Sequence, residues 1–253
     1  MHIQGTLTRE TSVSLVLPNE RKEEKVMNTI FWAGDSTVQT NDYSTYPQTG
    51  IGQVFSLFIK ESCHVENHGK NGRSTKSFMD EGRLREIEGR IGEGDFLFIQ
   101  FGHNDEKIED PTRYTEPFSA FKDNLECFIR VAREHGANPV LITPLERRRF
   151  DSEGKLEPSL HEDYVTAMKQ TAEQSKVPLI DLCGMSREVL ELAGEQESRR
   201  WYMFFPEGTY REHPQESKDN THLRYEGAVQ YGSLIARGLR SLGGIYEDLL
   251  ADF

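Results

Sequence analysis

From Asn28 onward, short strand-like runs alternate with longer segments of helical period, and this alternation constrains the fold more than any other feature. The runs are "TIFWA", "CHVEN", "DFLFIQFG", "PVLITPL" and "VPLIDL". Between them lie "QVFSLFIKE", "FMDEGRLREIEGRI", "FSAFKDNLECFIRVAREHG" and "HEDYVTAMKQTAEQS". Most of the runs are apolar at successive positions, the pattern of a strand buried on both faces, and the helical crossovers are what cover it. Five such strands predict a parallel sheet between two helical layers. A last helix is predicted over about Tyr225 to Leu239, because Ala228, Tyr231, Leu234, Ile235 and Leu239 fall on one stripe.

The 253 residues suffice for one sizeable core. Residues 28–253 read as that domain, with no internal repeat, low-complexity tract or Pro/Gly/Ser-rich linker. Residues 1–27 stand apart: "SVSLVLP" alternates like a strand, and "NERKEEK" is a charged run. They read either as a strand pair or arm added to the domain or as an extension upstream of a start at Met27.

Charge and hydropathy exclude several classes. A net charge of -12 repels a phosphate backbone, so nucleic acid is not an expected partner. Apolar runs such as Phe96 to Phe101 fall well short of the roughly 20 residues that span a bilayer, so no transmembrane helix is expected. The N-terminus has neither a basic nor an apolar signal region, which points to the cytosol. Cys63, Cys127 and Cys183 are too few and too scattered for a disulfide framework or a zinc ribbon, and read as buried thiols.

In an open α/β sheet, ligands bind beyond the carboxyl ends of the strands. Those positions are unusually polar here. "GDS" at 34–36 follows the first run, "HGKNGRST" at 68–75 the second, and "FGHNDE" at 101–106 extends the third. "DNTH" at 219–222 immediately precedes the last helix. Ser36 needs a base within hydrogen-bond reach to act as a nucleophile, and His222 is a candidate. Asp219, three residues earlier, can orient the imidazole through Nδ1. The amides of Ser36 and Gly72 and the side chain of Asn104 are donors of the type that holds an oxyanion.

These blocks resemble those of the SGNH (GDSL) hydrolase superfamily: "GDST" at 34–37, "NHGKNGRS" at 67–74, "GHND" at 102–105 and "DNTH" at 219–222, in the expected order. With "GRS" followed by "KSF", "YPQTGIGQ" at 46–53 and a tail of "DNTH" then "EGA", the match is most similar to the rhamnogalacturonan acetylesterases. The resemblance implies a flavodoxin-like three-layer α/β/α sandwich with a five-stranded parallel sheet. It also implies a catalytic triad of Ser36, Asp219 and His222 and an oxyanion hole of Ser36, Gly72 and Asn104. No cofactor or metal is implied, and the expected substrate is an acetylated pectic oligosaccharide. Gly69 departs from the branch, which usually has alanine there, and bears on which glycine donates.

Several features admit two readings. A Gly-Asp-Ser after a strand is often a turn or helix cap, and Asp219 and His222 can be an N-cap and a satisfied histidine. "NHGKNGRST" lacks the glycine at 67 and lysine at 73 of a phosphate loop, so nucleotide binding is not expected. His103, Asp105, Asp219 and His222 lack the spacing of a metal site. "RRWYMFFPEGTYREHP", 199–214, reads either as core and lid hinge or as a sugar-binding wall presenting Trp201 and Tyr202. Arg147 to Arg149 read as a solvated charge run or as cations for a uronate carboxylate. Arg73, inside a site block, is the better candidate for that carboxylate, and His103 is a further substrate-binding candidate. Two alternatives stand beside the acetylesterase: a lipase or thioesterase for longer acyl chains, and a noncatalytic carbohydrate-binding protein.

Overall fold

The computed structural model describes residues 28–252, so the expected arm over residues 1–27 lies outside the described residues. β1 (Asn28–Gly34), β2 (Cys63–Asn67), β3 (Phe96–Gln100), β4 (Asn138–Ile142) and β5 (Leu179–Ile180) form one sheet in the order β2-β1-β3-β4-β5. All its pairings are parallel, and Gly34 lies opposite Gln100 at the carboxyl ends of β1 and β3. The helices are α1 (Ile51–Val54), α2 (Thr75–Asp80), α3 (Arg83–Glu88), α4 (Lys122–Glu134), α5 (Glu162–Ser175), α6 (Leu182–Ser198), α7 (Tyr225–Leu242) and α8 (Gly244–Glu247).

Alternate residues of each strand enter different cores. Ile30, Trp32, Phe96, Phe98, Val140 and Ile142 pack with Tyr231, Leu234, Ile235 and Leu239 of α7. Phe31, Ala33, Leu97, Ile99 and Leu141 pack with Leu125, Phe128 and Ile129 of α4 and with Ala167 and Met168 of α5. Both faces are therefore covered, which is the three-layer sandwich. Burying a side chain such as Phe98 fully contributes about 1.5–3 kcal/mol. The predicted stripe of α7 is buried at every position.

Three expectations about local structure are corrected. "FMDEGRLREIEGRI" is not one helix, because Gly82 adopts φ +77° and separates α2 from α3. In "QVFSLFIKE" the helix ends at Val54, and the chain turns so that Ile59 bridges to Leu250. Its apolar residues Val54, Phe55 and Ile59 are buried by that turn and not along a helical stripe.

The third correction matters most for the site. "DNTH" precedes the last helix as expected, but Asp219 is not its N-cap, a position that Arg224 holds. The segment belongs to β7 (Ser217–Leu223), which pairs antiparallel with β6 (Tyr202–Phe205). Tyr202 pairs with Leu223 and Met203 with Asp219, so one step along β6 spans four along β7. Asn220, Thr221 and His222 bulge out of the ladder.

Candidate active site

The sheet order puts β1 between β2 and β3, so their carboxyl ends open on one crevice where the strand order reverses. Ser36 lies two residues past β1. Asp35 shapes its turn: Oδ1 accepts from the Thr37 amide and hydroxyl, both at 2.8 Å, and Oδ2 accepts from His103 Nδ1 at 3.2 Å. Burial lowers His103 below the ordinary histidine range, so its ring is neutral and donates Nδ1–H. Burial also opposes charge on Asp35, but His103 and Thr37 outweigh it and hold that carboxyl below its usual range.

The bulge in β7 brings Asp219 and His222 together. Residues three apart in a regular strand point to opposite faces. Here Asp219 Oδ1 accepts from the amides of Thr221 (2.7 Å) and His222 (3.0 Å), folding the chain back on itself. Oδ2 then receives His222 Nδ1–H at 2.6 Å. Burial raises Asp219, yet the hydrogen bond from His222 and the two amides leave it below the ordinary carboxylate range. On the other side of the ring, Ser36 Oγ–H donates to His222 Nε2 at 3.0 Å.

In the turn after β2 the two glycine amides differ in their engagement. The amides of Gly69, Lys70, Asn71 and Arg73 donate to Asn67 Oδ1 (3.0 Å), the Gly34 carbonyl (3.0 Å), Gln39 Oε1 (2.5 Å) and the Lys70 carbonyl (3.2 Å). Neither the Gly72 amide nor the Ser36 amide donates to an acceptor among the described residues. Gly72 has φ +77°, a conformation that suits glycine. At Gly69 a Cβ would stand 2.9 Å from Val38 Cγ1 and 3.0 Å from the Gln39 nitrogen, so glycine lets this turn pack against the one carrying Ser36.

Asn104 follows β3. Its Oδ1 accepts from Arg113 at 3.2 Å, and one Nδ2–H donates to the Arg73 carbonyl at 3.1 Å. Arginine only donates, so this pairing sets the amide orientation and leaves the second N–H available.

The remaining candidates fall elsewhere. Trp201 and Tyr202 are 8% and 0% exposed, which removes them from a sugar-binding wall. Tyr202 is core: its hydroxyl meets Tyr231 at 2.9 Å and donates to the Glu146 carbonyl at 3.1 Å. His103 is buried beneath the Ser36 turn, so its role as a substrate contact is also corrected. Arg73 borders a cavity of about 380 Å³ beside Gly72, where Glu81 pairs with it at 2.9 Å. Arg147 is held by Thr221 and Glu106, Arg148 is buried between Ser198 and Asn220, and Arg149 pairs with Glu157. None of this trio stands free for a carboxylate.

Sequence reasoning missed Arg113 and the Glu106–His161 pair, joined at 2.6 Å, and gave Arg147 only as a surface charge or a cation for a uronate. Arg113 lies in a loop without periodicity, and no local signal announces its contact with Asn104. Among the described residues no group of acidic, cysteine and histidine side chains could hold a metal, and no helix is long and apolar enough to cross a membrane.

A hydroxyl, an imidazole and a carboxylate in series, flanked by unengaged amides on an open α/β sheet, have the geometry of a Ser-His-Asp hydrolase site. The chain belongs to the GDSL-like Lipase/Acylhydrolase family, whose sequence profile matches residues 30–235. It is accordingly a carboxylic ester hydrolase of the SGNH type. It is 43% identical over 221 residues to a rhamnogalacturonan acetylesterase of Bacillus subtilis, covering 87% of this chain and 93% of that protein. To a probable rhamnogalacturonan acetylesterase of the same organism it is 41% identical, over 85% of this chain and 94% of the relative. Among solved structures, the Bacillus subtilis protein YxiM superposes with a TM-score of 0.73 at 27% identity, over 85% of this chain and 57% of that one. An acetylxylan esterase from Geobacillus stearothermophilus, at 14% identity over 83% of this chain and 93% of that one, shares the fold with a TM-score of 0.60.

Proposed function

We propose that this protein removes O-acetyl groups from rhamnogalacturonan or its oligosaccharides through an acetyl-serine intermediate. The observation that carries the reading is the unbroken series Ser36 Oγ, His222 and Asp219, at 3.0 and 2.6 Å. The two acetylesterase relatives, matched over most of both chains, support the substrate class.

In the proposed cycle His222 Nε2 takes the Ser36 proton as Oγ attacks the acetyl carbonyl. Asp219 keeps the other ring proton on Nδ1 and stabilises the imidazolium. The amides of Ser36 and Gly72 and the free N–H of Asn104 receive the oxyanion, and each such donor is worth about 2.7–4 kcal/mol in comparable sites. Collapse breaks the bond to the sugar oxygen, which leaves with the proton from His222. Water then gives a proton to His222 and attacks the acetyl-serine carbonyl; collapse breaks the bond to Ser36 Oγ, which takes that proton back from His222 as acetate leaves. Arg73 borders the site beside Gly72, but its guanidinium is already engaged by Glu81 and the Asn71 carbonyl, so it is not assigned to a uronate carboxylate.

Two measurements test this reading. A fluorophosphonate probe followed by peptide mapping should label Ser36, and label on another residue would overturn the assignment. Acetate release from acetylated rhamnogalacturonan oligosaccharides should exceed hydrolysis of nitrophenyl esters with eight or more acyl carbons. The reverse preference would favour a lipase, and binding without turnover would favour a noncatalytic protein.

A further inference from the structure

Among the described residues, Tyr43, Tyr46 and Tyr225 are the tyrosines more than half exposed, at 86%, 53% and 56%. All three line one cleft of about 520 Å³. Clustered exposed rings are costly to hydrate, so their gathering in one concave site marks a place where something binds.

The cleft is built before any ligand arrives. Asp42 accepts from the Ser44 amide (2.8 Å) and hydroxyl (2.6 Å), fixing the short turn that carries Tyr43. The Tyr46 ring meets the Tyr210 ring edge-on at 5.5 Å, and Tyr210 leans likewise on Phe205 at 4.8 Å. Rings held this way lose little freedom on binding.

The cleft is also tied to the hydrolytic residues. Thr49, in its wall, donates its amide to the carbonyl of Leu223, the residue after His222, at 2.8 Å. Gln48 donates to Asn71, the residue before Gly72, at 3.4 Å. Tyr225 opens α7 three residues after His222.

Aromatic faces beside planar polar side chains match a pyranose, whose ring presents C–H groups on its face and hydroxyls at its edge. Gln48 and Gln53 supply amides that both donate and accept. No lysine or arginine lines the cleft, and the carboxylate of Asp42 does. An anionic sugar is disfavoured there.

We propose that the cleft of Tyr43, Tyr46 and Tyr225 is a subsite for a neutral pyranose residue flanking the acetylated sugar at Ser36. The proposal rests on the carbohydrate-esterase reading above and adds the residues and the sugar class.

The test uses Ser36→Ala protein titrated by calorimetry with unacetylated rhamnogalacturonan oligosaccharide. Adding Tyr43→Ala or Tyr225→Ala should weaken binding about tenfold, the loss expected when one stacked aromatic is removed. Affinity within twofold of the parent, absence of saturable binding, or equal affinity for an oligogalacturonate would overturn the subsite. Tyr43 is exposed enough that its removal does not threaten the fold. With Ser36 intact, Tyr43→Ala should lower the ratio of kcat/KM on acetylated oligosaccharide to kcat/KM on 4-nitrophenyl acetate about tenfold. An unchanged ratio, with normal deacetylation by the unsubstituted protein, would overturn the subsite alone. Failure of that protein to deacetylate the oligosaccharide would overturn the parent reading and the subsite with it.

Discussion

The guanidinium of Arg147 donates to Thr221 Oγ1 across 2.7 Å, and Thr221 immediately precedes His222 in the bulge of β7. The same guanidinium reaches Glu106 at 2.8 Å, and Glu106 in turn accepts from buried His161 at 2.6 Å. Glu106 stands two residues after Asn104, so this chain of contacts links the β3 segment to the bulge that aims the imidazole.

Arg147→Met should therefore loosen the bulge and leave Glu106 without a cation. Charge-assisted hydrogen bonds contribute about 1.5–3 kcal/mol. The expected outcome is a loss of roughly that size in urea denaturation. Activity on 4-nitrophenyl acetate should fall at least about tenfold, and Arg147→Lys should recover part of it. Unchanged kinetics would show that the bulge holds without the arginine.

Asp219→Asn separates tautomer from geometry. Asparagine retains Oδ1 for the amides of Thr221 and His222, so the turn should persist. Its NH2 group faces Nδ1, which moves the ring proton to Nε2 and removes the acceptor for Ser36. We expect kcat to fall by about 10³–10⁴ with little change in thermal stability, and one-dimensional NMR of the ring protons to report the tautomer.

Asn104→Ala removes a donor and leaves Arg113 paired with Asp110 alone. A decrease of about 10²–10³ in kcat is expected, with KM nearly constant, because the bond matters when the oxyanion forms. A change confined to KM would place Asn104 in ground-state binding instead.

Asp105 gives a pH dependence of stability with a definite sign. Burial pushes its carboxyl up to about 7, although Thr75 and Thr115 donate to it. The folded state thus holds a proton that the unfolded chain has already lost. This contribution is complete below about pH 4 and disappears as pH rises through about 7, a change worth roughly 2.6 kcal/mol between pH 5 and 8. Asp105→Asn keeps Oδ1 for the three donors at 2.6–3.0 Å and cannot ionise. Its unfolding free energy, measured against the parent protein at both pH values, should improve by that amount at pH 8. His103, held low by burial, works in the opposite direction below its ordinary range, so the comparison between the two proteins is the decisive one.

Local pattern carried much of this protein. The successive apolar residues of β1, β3 and β4 require cover on both faces, and the stripe of α7 says which side of that helix supplies it. Short polar blocks after consecutive strands point to one rim, because parallel strands end on the same side of their sheet. Periodicity does not register a single left-handed glycine, so Gly82 divided what reads as one helix.

Tertiary structure decided what depends on partners distant in the chain. "DNTH" has low β propensity; it lies within a strand because Asp219 and Leu223, on either side of the bulge, pair with Met203 and Tyr202 of β6. Ser36 and His222 meet across 186 positions because the sheet order brings β1 to the crevice while the bulge of β7 turns the imidazole toward it. Residue order and local preference determine what each segment can become. Which of its faces is left for chemistry depends on packing contacts that no short stretch of the chain contains.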